Sequence, residues 1–181
     1  MFDAQTDPDR TMPLTFPLVV LDFEATALAL TSYPIEVGVA VLKKPGAKIR
    51  SWSSLIKPDP RWDMAAQWDR DAERLHGINQ RMLREGKHPR AVMAELNALI
   101  PSGTTVWCDG GLYDAHWLAT LTQASSFVAS FELGDLGAEL RRGDGQVLNR
   151  YLAASADQLR PHRAGVDAVL ICAALAAAIA H

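Results

Sequence analysis

A short apolar run, Leu18-Val19-Val20-Leu21, ends in two carboxylates, Asp22 and Glu24, separated by one aromatic residue, Phe23. Four contiguous branched aliphatics read as a buried strand. Side chains two apart on a strand point to the same face, so Asp22 and Glu24 project together while Phe23 turns into the opposite layer. Two anions side by side at the end of a buried strand call for a cation. Hard divalent ions such as Mg²⁺ take carboxylate oxygens and water, and they commonly bring phosphate with them. The strand thus points to phosphoryl chemistry.

The rest of the chain builds around that strand. Residues 35–42 and 49–56 are rich in β-formers and are joined by Lys43-Lys44-Pro45-Gly46-Ala47, whose Pro-Gly pair marks a turn. A meander of three strands follows from this. Asn79 is placed to cap a helix through Glu85, and Val92, Met93, Leu96, Leu99 and Ile100 recur at helical spacing after Pro89. Residues 104–108 then read as a buried strand, 115–123 as a helix and 126–133 as a fifth strand. Helices over 136–142 and 147–156 lead into an apolar C-terminal helix. Consecutive strands early, with strand and helix alternating later, favour a mixed five-stranded sheet flanked by helices, an α/β fold. No GxGxxG follows the first strand, which weakens a dinucleotide site.

Composition sets limits on function. The 181 residues carry a net charge of −3, with 49% hydrophobic residues, which suits one globular domain and excludes a generally basic nucleic-acid coat. Cys108 and Cys172 form no CxxC pattern and sit in apolar surroundings, so reduced core thiols and a cytoplasmic location are expected. Every residue from Ala168 to Ala180 is apolar, yet thirteen residues of helix span only about 20 Å, short of a bilayer. A buried helix is expected, and no membrane partner. An exposed part of that helix would support a homodimer.

Three segments carry the chemistry: Asp22-Phe23-Glu24-Ala25-Thr26-Ala27-Leu28 after the first strand, Asp109-Gly110-Gly111-Leu112-Tyr113-Asp114 after the fourth, and His162-Arg163-Ala164-Gly165-Val166-Asp167 opening the last helix. In order and context they resemble the three motifs of the DnaQ-like, DEDDh-type 3′-to-5′ exonucleases, which have a ribonuclease-H-like fold. The first resembles DxExTGL with Ala27 in place of glycine, and the third is similar to HRAxxDA. His76-Gly77-Ile78 looks like the HGI triplet between the first two motifs, and Asp135-Leu136 falls where many members have Asp-Thr-Leu. The second motif departs from the common His-Asn-x-x-Phe-Asp: the aromatic Tyr113 and Asp114 stand, while Asp109 and Gly110 replace the first pair. Asp109 would add an anion near the site.

The resemblance implies a single exonuclease domain over residues 17–181 behind a loose tail, residues 1–16. It implies two divalent metal ions, Mg²⁺ or Mn²⁺, held by Asp22, Glu24, Asp114 and Asp167, with His162 as general base. Phosphodiester hydrolysis needs an activated water and a stabilised leaving oxyanion, which two ions about 4 Å apart supply. A histidine near neutral pKa takes the proton. His162 and Asp167 are five positions apart, about 140° around a continuous helix, so the histidine belongs on the loop before it, where Pro161 supports the break. By the same resemblance Ala25, Thr26, Ala27 and Leu28 would hold the terminal nucleotide, and Arg163 would meet phosphate. The expected partners are single-stranded RNA or DNA 3′ ends, with the DFEAT form pointing toward RNA. A DNA-trimming or proofreading enzyme, and a nucleic-acid-binding module without turnover, are the alternatives.

Overall fold

The computed structural model describes residues 14–180. Its centre is a five-stranded sheet of β1 (Leu18–Ala25), β2 (Pro34–Leu42), β3 (Arg50–Leu55), β4 (Thr105–Cys108) and β5 (Glu132–Asp135), in the order β3-β2-β1-β4-β5. The meander β1-β2-β3 is antiparallel, whereas β4 joins β1 and β5 joins β4 in parallel. The sheet is therefore mixed, with β1 at its centre. Six helices surround it: α1 (Arg70–His76), α2 (Pro89–Leu99), α3 (Leu112–Ser125), α4 (Leu136–Arg142), α5 (Gly145–Ser155) and α6 (Ala164–Ile179).

Alternation along β1 divides the core. Val19, Leu21, Phe23 and Ala25 face the layer of Val92, Met93 and Leu96 from α2 and Trp117 and Leu121 from α3. Leu18 and Val20 face the opposite layer, with Leu140 of α4, Tyr151 of α5, and Ile171, Cys172 and Leu175 of α6. Asp22 and Glu24 fall on the same parity as Leu18 and Val20, which points them toward α6. Burying each large aliphatic of α6 contributes about 1.5–3 kcal/mol, so the helix is anchored by its middle and its N-terminus is fixed in place. No helix among the described residues is long and apolar enough to cross a membrane. Both cysteines are buried and free.

Three elements differ from the sequence expectation. Helix α1 was not anticipated, although Asp69 caps it by accepting from the Asp71 N–H, and Gly77 closes it in a left-handed conformation. The helix expected from Asn79 is only a 3-10 turn over Met82–Glu85, with the Asn79 side chain accepting from the Met82 N–H. The fifth strand is Glu132–Asp135 rather than 126–133. Residues 126–131 bury Phe131 from a loop, because Ser125 accepts from the Phe127 N–H and Asn97 binds both Val128 and Ser130, leaving the ladder no claim on them. The expected tail lies outside the described residues except for 14–16, where Leu14 and Phe16 pack against the α6-side core.

Candidate active site

The site sits at the C-terminal ends of β1 and β4, where α6 begins. Asp22 and Glu24 reach it from β1. Asp167 lies in the first turn of α6, on its buried side. Ligand atoms of Glu24, His162 and Asp167 lie within 4.8 Å of one another. Asp22, Glu24, Asp167 and His162 line one open pocket together with Ala25, Ala27, Leu28, Leu75, His76 and Arg160. Asp114 approaches from the opposite layer, at the start of α3. It is buried and its carboxylate accepts from the Gly110 N–H at 2.9 Å.

A Cβ at Gly110 would stand 2.7 Å from Asp114 Oδ2, so a side chain there would have to displace the carboxylate that the Gly110 N–H holds. Gly111, with φ 55, turns the chain into α3. The backbone of Gly110 thus holds the carboxylate.

Charge accumulates in this region. Burial, followed by repulsion from Asp114, Glu24, Asp109 and Asp167, holds Asp22 well above the usual carboxylate range. Burial, then Asp167 and Glu36, pushes Glu24 up to about 8. Asp114 is raised by burial to about 6 although the Gly110 N–H opposes the shift. Burial also raises Asp167, partly offset by Arg160 and His162. Asp167 Oδ1 is buried with no hydrogen-bond partner. Orphaned carboxylate oxygen amid mutually repelling carboxylates is the donor set a hard divalent cation takes, so these residues fit one.

His162 lies on the loop between α5 and α6, not on α6 itself, and its φ of 52 places it in the left-handed region. A non-glycine residue there is strained by roughly 1–2 kcal/mol and persists where its surroundings hold it. The next residue, Arg163, makes a bidentate pair with Glu36 of β2, at 3.0 Å and 2.7 Å, and Glu36 also accepts from the Ala164 N–H. Glu36 is the cross-strand partner of Glu24. It caps α6 from the sheet and occupies the arginine expected to meet phosphate.

Of the four residues expected to hold a terminal nucleotide, Ala25, Ala27 and Leu28 line the pocket, and Leu28 is exposed. Thr26 is buried: its hydroxyl accepts from the Tyr33 N–H and its backbone pairs with Tyr33 and Asp69. The pocket is also lined by Arg160, a cation that the motif resemblance does not single out. Arg160 pairs with Asp109 at 2.6 Å. His76, of the His76-Gly77-Ile78 triplet, accepts from the Ile78 N–H through Nδ1 and borders the pocket, with burial lowering its pKa. The signal for α1, and so for Leu75 and His76, was present as Asp69 and Gly77 eight positions apart around a short amphipathic stretch.

No family model and no curated protein matches the sequence. The fold has clear counterparts among solved structures. One is a 3′-exonuclease that recognises the 3′ end of a histone mRNA stem-loop, with a TM-score of 0.66 at 16% identity, covering 89% of this chain and 63% of that one. A second is Escherichia coli exonuclease I bound to a dA16 oligonucleotide, with a TM-score of 0.65 at 11% identity, covering 88% of this chain and 40% of that one. The chain shares the fold of these exonucleases. The RNase domain of yeast Pop2 shares it, with a TM-score of 0.53 at 12% identity, covering 90% of this chain and 76% of that one. The chain thus spans under two thirds of the first two exonuclease structures. E. coli exonuclease I with single-stranded DNA has also been solved in a zinc-bound form.

Proposed function

We propose that this chain is a DEDDh-type, metal-dependent 3′-to-5′ exonuclease that hydrolyses phosphodiester bonds at single-stranded 3′ ends and releases nucleoside 5′-monophosphates. The observation that carries the reading is the convergence of Glu24, His162 and Asp167 within 4.8 Å at the end of a strand that also bears Asp22. Asp22, Glu24 and Asp167 would hold divalent ions, Mg²⁺ or Mn²⁺, with Asp114 completing the set from α3. When bound, such ions supply a water of lowered pKa and positive charge beside the leaving oxyanion. His162 takes the proton of the attacking water, and the loop position leaves its ring beside Glu24 and Asp167 rather than buried under α6. Ala25, Ala27 and Leu28 border the space for the terminal nucleotide. The small alanines admit a sugar, and Leu28 packs on a base. The DFEAT form and the stem-loop exonuclease among the structural counterparts support RNA as the favoured polymer. Two buried free thiols fit the reducing cytoplasm.

The test is product release from 5′-labelled single-stranded RNA and DNA of equal sequence with Mg²⁺ or Mn²⁺, comparing the wild type with Asp22→Ala. The expected result is a ladder shortening from the 3′ end, lost with chelator and in the variant, and faster on RNA. Faster shortening of DNA would assign a DNA-trimming enzyme. Retained binding with no metal-dependent shortening of either polymer would assign a binding module.

A further inference from the structure

His162 stands in the left-handed region between two arginines, and each arginine is tied to a different strand of the sheet. Arg163 is bound to Glu36 in β2, as described above. Arg160 reaches back across the pocket to Asp109, the residue following β4, at 2.6 Å. The two side chains of this second pair are 31% and 27% exposed, although Asp109 as a whole residue is exposed. The guanidinium also lies near the side chain of Tyr151, a buried residue of α5. Between the end of α5 at Ser155 and the start of α6 at Ala164, the chain makes few other polar ties. Gln158 donates its backbone N–H to Ser155, and Leu159 is 94% exposed.

We propose that Arg160 is a positioning residue: its pair with Asp109 is a latch that fixes the loop before His162 to β4, so that the two flanking arginines together hold the His162 ring against Glu24 and Asp167. This rests on the exonuclease reading for its effect on turnover, though not for the latch itself. The physical reason is geometric. A strained backbone conformation persists when its surroundings over-determine it. A single anchor at Arg163 leaves the segment on the N-terminal side of His162 free to swing about that point, and a second anchor two residues before it removes that freedom. The latch also explains what Asp109 does. An extra carboxylate beside Asp22 and Asp114 adds repulsion to the site, and the Arg160 guanidinium paired with it sets a compensating positive charge beside it. A partly buried, bidentate-capable guanidinium partner suits this task better than an ammonium would.

The experiment combines hydrogen exchange with kinetics on the full chain, using Asp109→Asn, Arg160→Gln, the double variant, and Asp157→Asn as a charge control on the same loop. Backbone amides of residues 157–160 and 162 should exchange about two- to tenfold faster in either single variant, with the double variant no faster than the single ones. The Asp157→Asn control should match the wild type. Turnover on single-stranded 3′ ends should fall in the latch variants by about 10- to 100-fold in kcat, the scale expected when a reacting group is displaced by about an ångström, with KM within about threefold. Unchanged exchange in Asp109→Asn, or effects that simply add in the double variant, would overturn the latch. A rise in KM in Arg160→Gln with exchange unchanged would also overturn it, because Arg160 would then be a substrate contact. If the wild type shortens no nucleic acid, the exonuclease reading fails while the exchange result still decides whether the latch exists.

Discussion

Gly38 of β2 is the register partner of Asp22, and a Cβ at Gly38 would stand 2.2 Å from the carbonyl carbon of Ala164. The N-terminus of α6 therefore rests on bare backbone beside the central carboxylate. That contact brings Asp167 down to Asp22 and Glu24, and a matching one at Gly165 leaves its missing Cβ 2.8 Å from Ser53 of β3. Gly38→Ala should lift the start of α6, lower stability by about 1–3 kcal/mol and reduce turnover more than substrate binding. Thermal denaturation and a comparison of kcat with KM would check this, and a variant with wild-type stability and turnover would refute the contact's importance.

Carboxylates raised by burial and mutual repulsion make stability depend on pH in a defined direction. Glu24 moves from an ordinary 4.5 to about 8 in the folded chain, so between those values the folded state binds more protons than the unfolded. Stability of the metal-free protein should consequently fall as pH rises from about 4.5 to about 8, with Asp22, Asp114 and Asp167 acting in the same direction. Mg²⁺ or Mn²⁺ should raise Tm most at the upper end of that window. Asp22→Asn should flatten the pH dependence in chelator while removing the metal response. A Tm in chelator that climbs across the window would contradict the cluster.

Glu36 is buried and accepts three hydrogen bonds from Arg163 and Ala164. Glu36→Ala should remove the cap of α6 and leave Arg163 unpaired, at about 2–3 kcal/mol from charge-assisted bonds and capping together. Because Glu36 does not line the pocket, its loss should act on activity indirectly, through α6, through Arg163 beside His162 and through the charge it places next to Glu24. Glu36→Gln, which keeps an acceptor for the Ala164 N–H, should recover part of both. Chemical denaturation of the two variants distinguishes the outcomes.

Replacing His162 by alanine should slow hydrolysis by about 10²–10⁴-fold, the usual reach of general-base catalysis, with substrate binding retained. Single-turnover kinetics over a range of pH would show whether the steep limb of the rate profile disappears with the ring. Unchanged rates would remove His162 from the chemistry.

Gly110→Ala should be a sharper probe of the second motif than any change at Asp109. The added methyl would meet Asp114 Oδ2 at 2.7 Å and displace the carboxylate from the Gly110 N–H. Loss of metal affinity with the fold retained, read by calorimetry with Mn²⁺, is the expected outcome.

The strand bearing Asp22 and Glu24, the mixed sheet and the buried C-terminal helix were all legible in the chain, because alternation and apolar runs are local signals that survive folding. Placement of His162 before α6 was legible too, from Pro161 and the angular separation from Asp167. The short helix α1 was missed although its caps are present, and the fifth strand was set six residues early. There, Phe127 and Phe131 look like strand residues until Asn97, remote in sequence, takes up the backbone groups between them. What sequence alone determined is thus the set of chemical groups and the order in which strands and helices carry them. Tertiary structure decided which arginine faces the pocket. A linear reading favours Arg163, beside His162, as the phosphate contact, but Glu36 lies beneath Arg163 and Asp109 across from Arg160, and those carboxylates arrive from β2 and from the end of β4. Pairing of charges depends on distance through space, and only the folded sheet sets that distance.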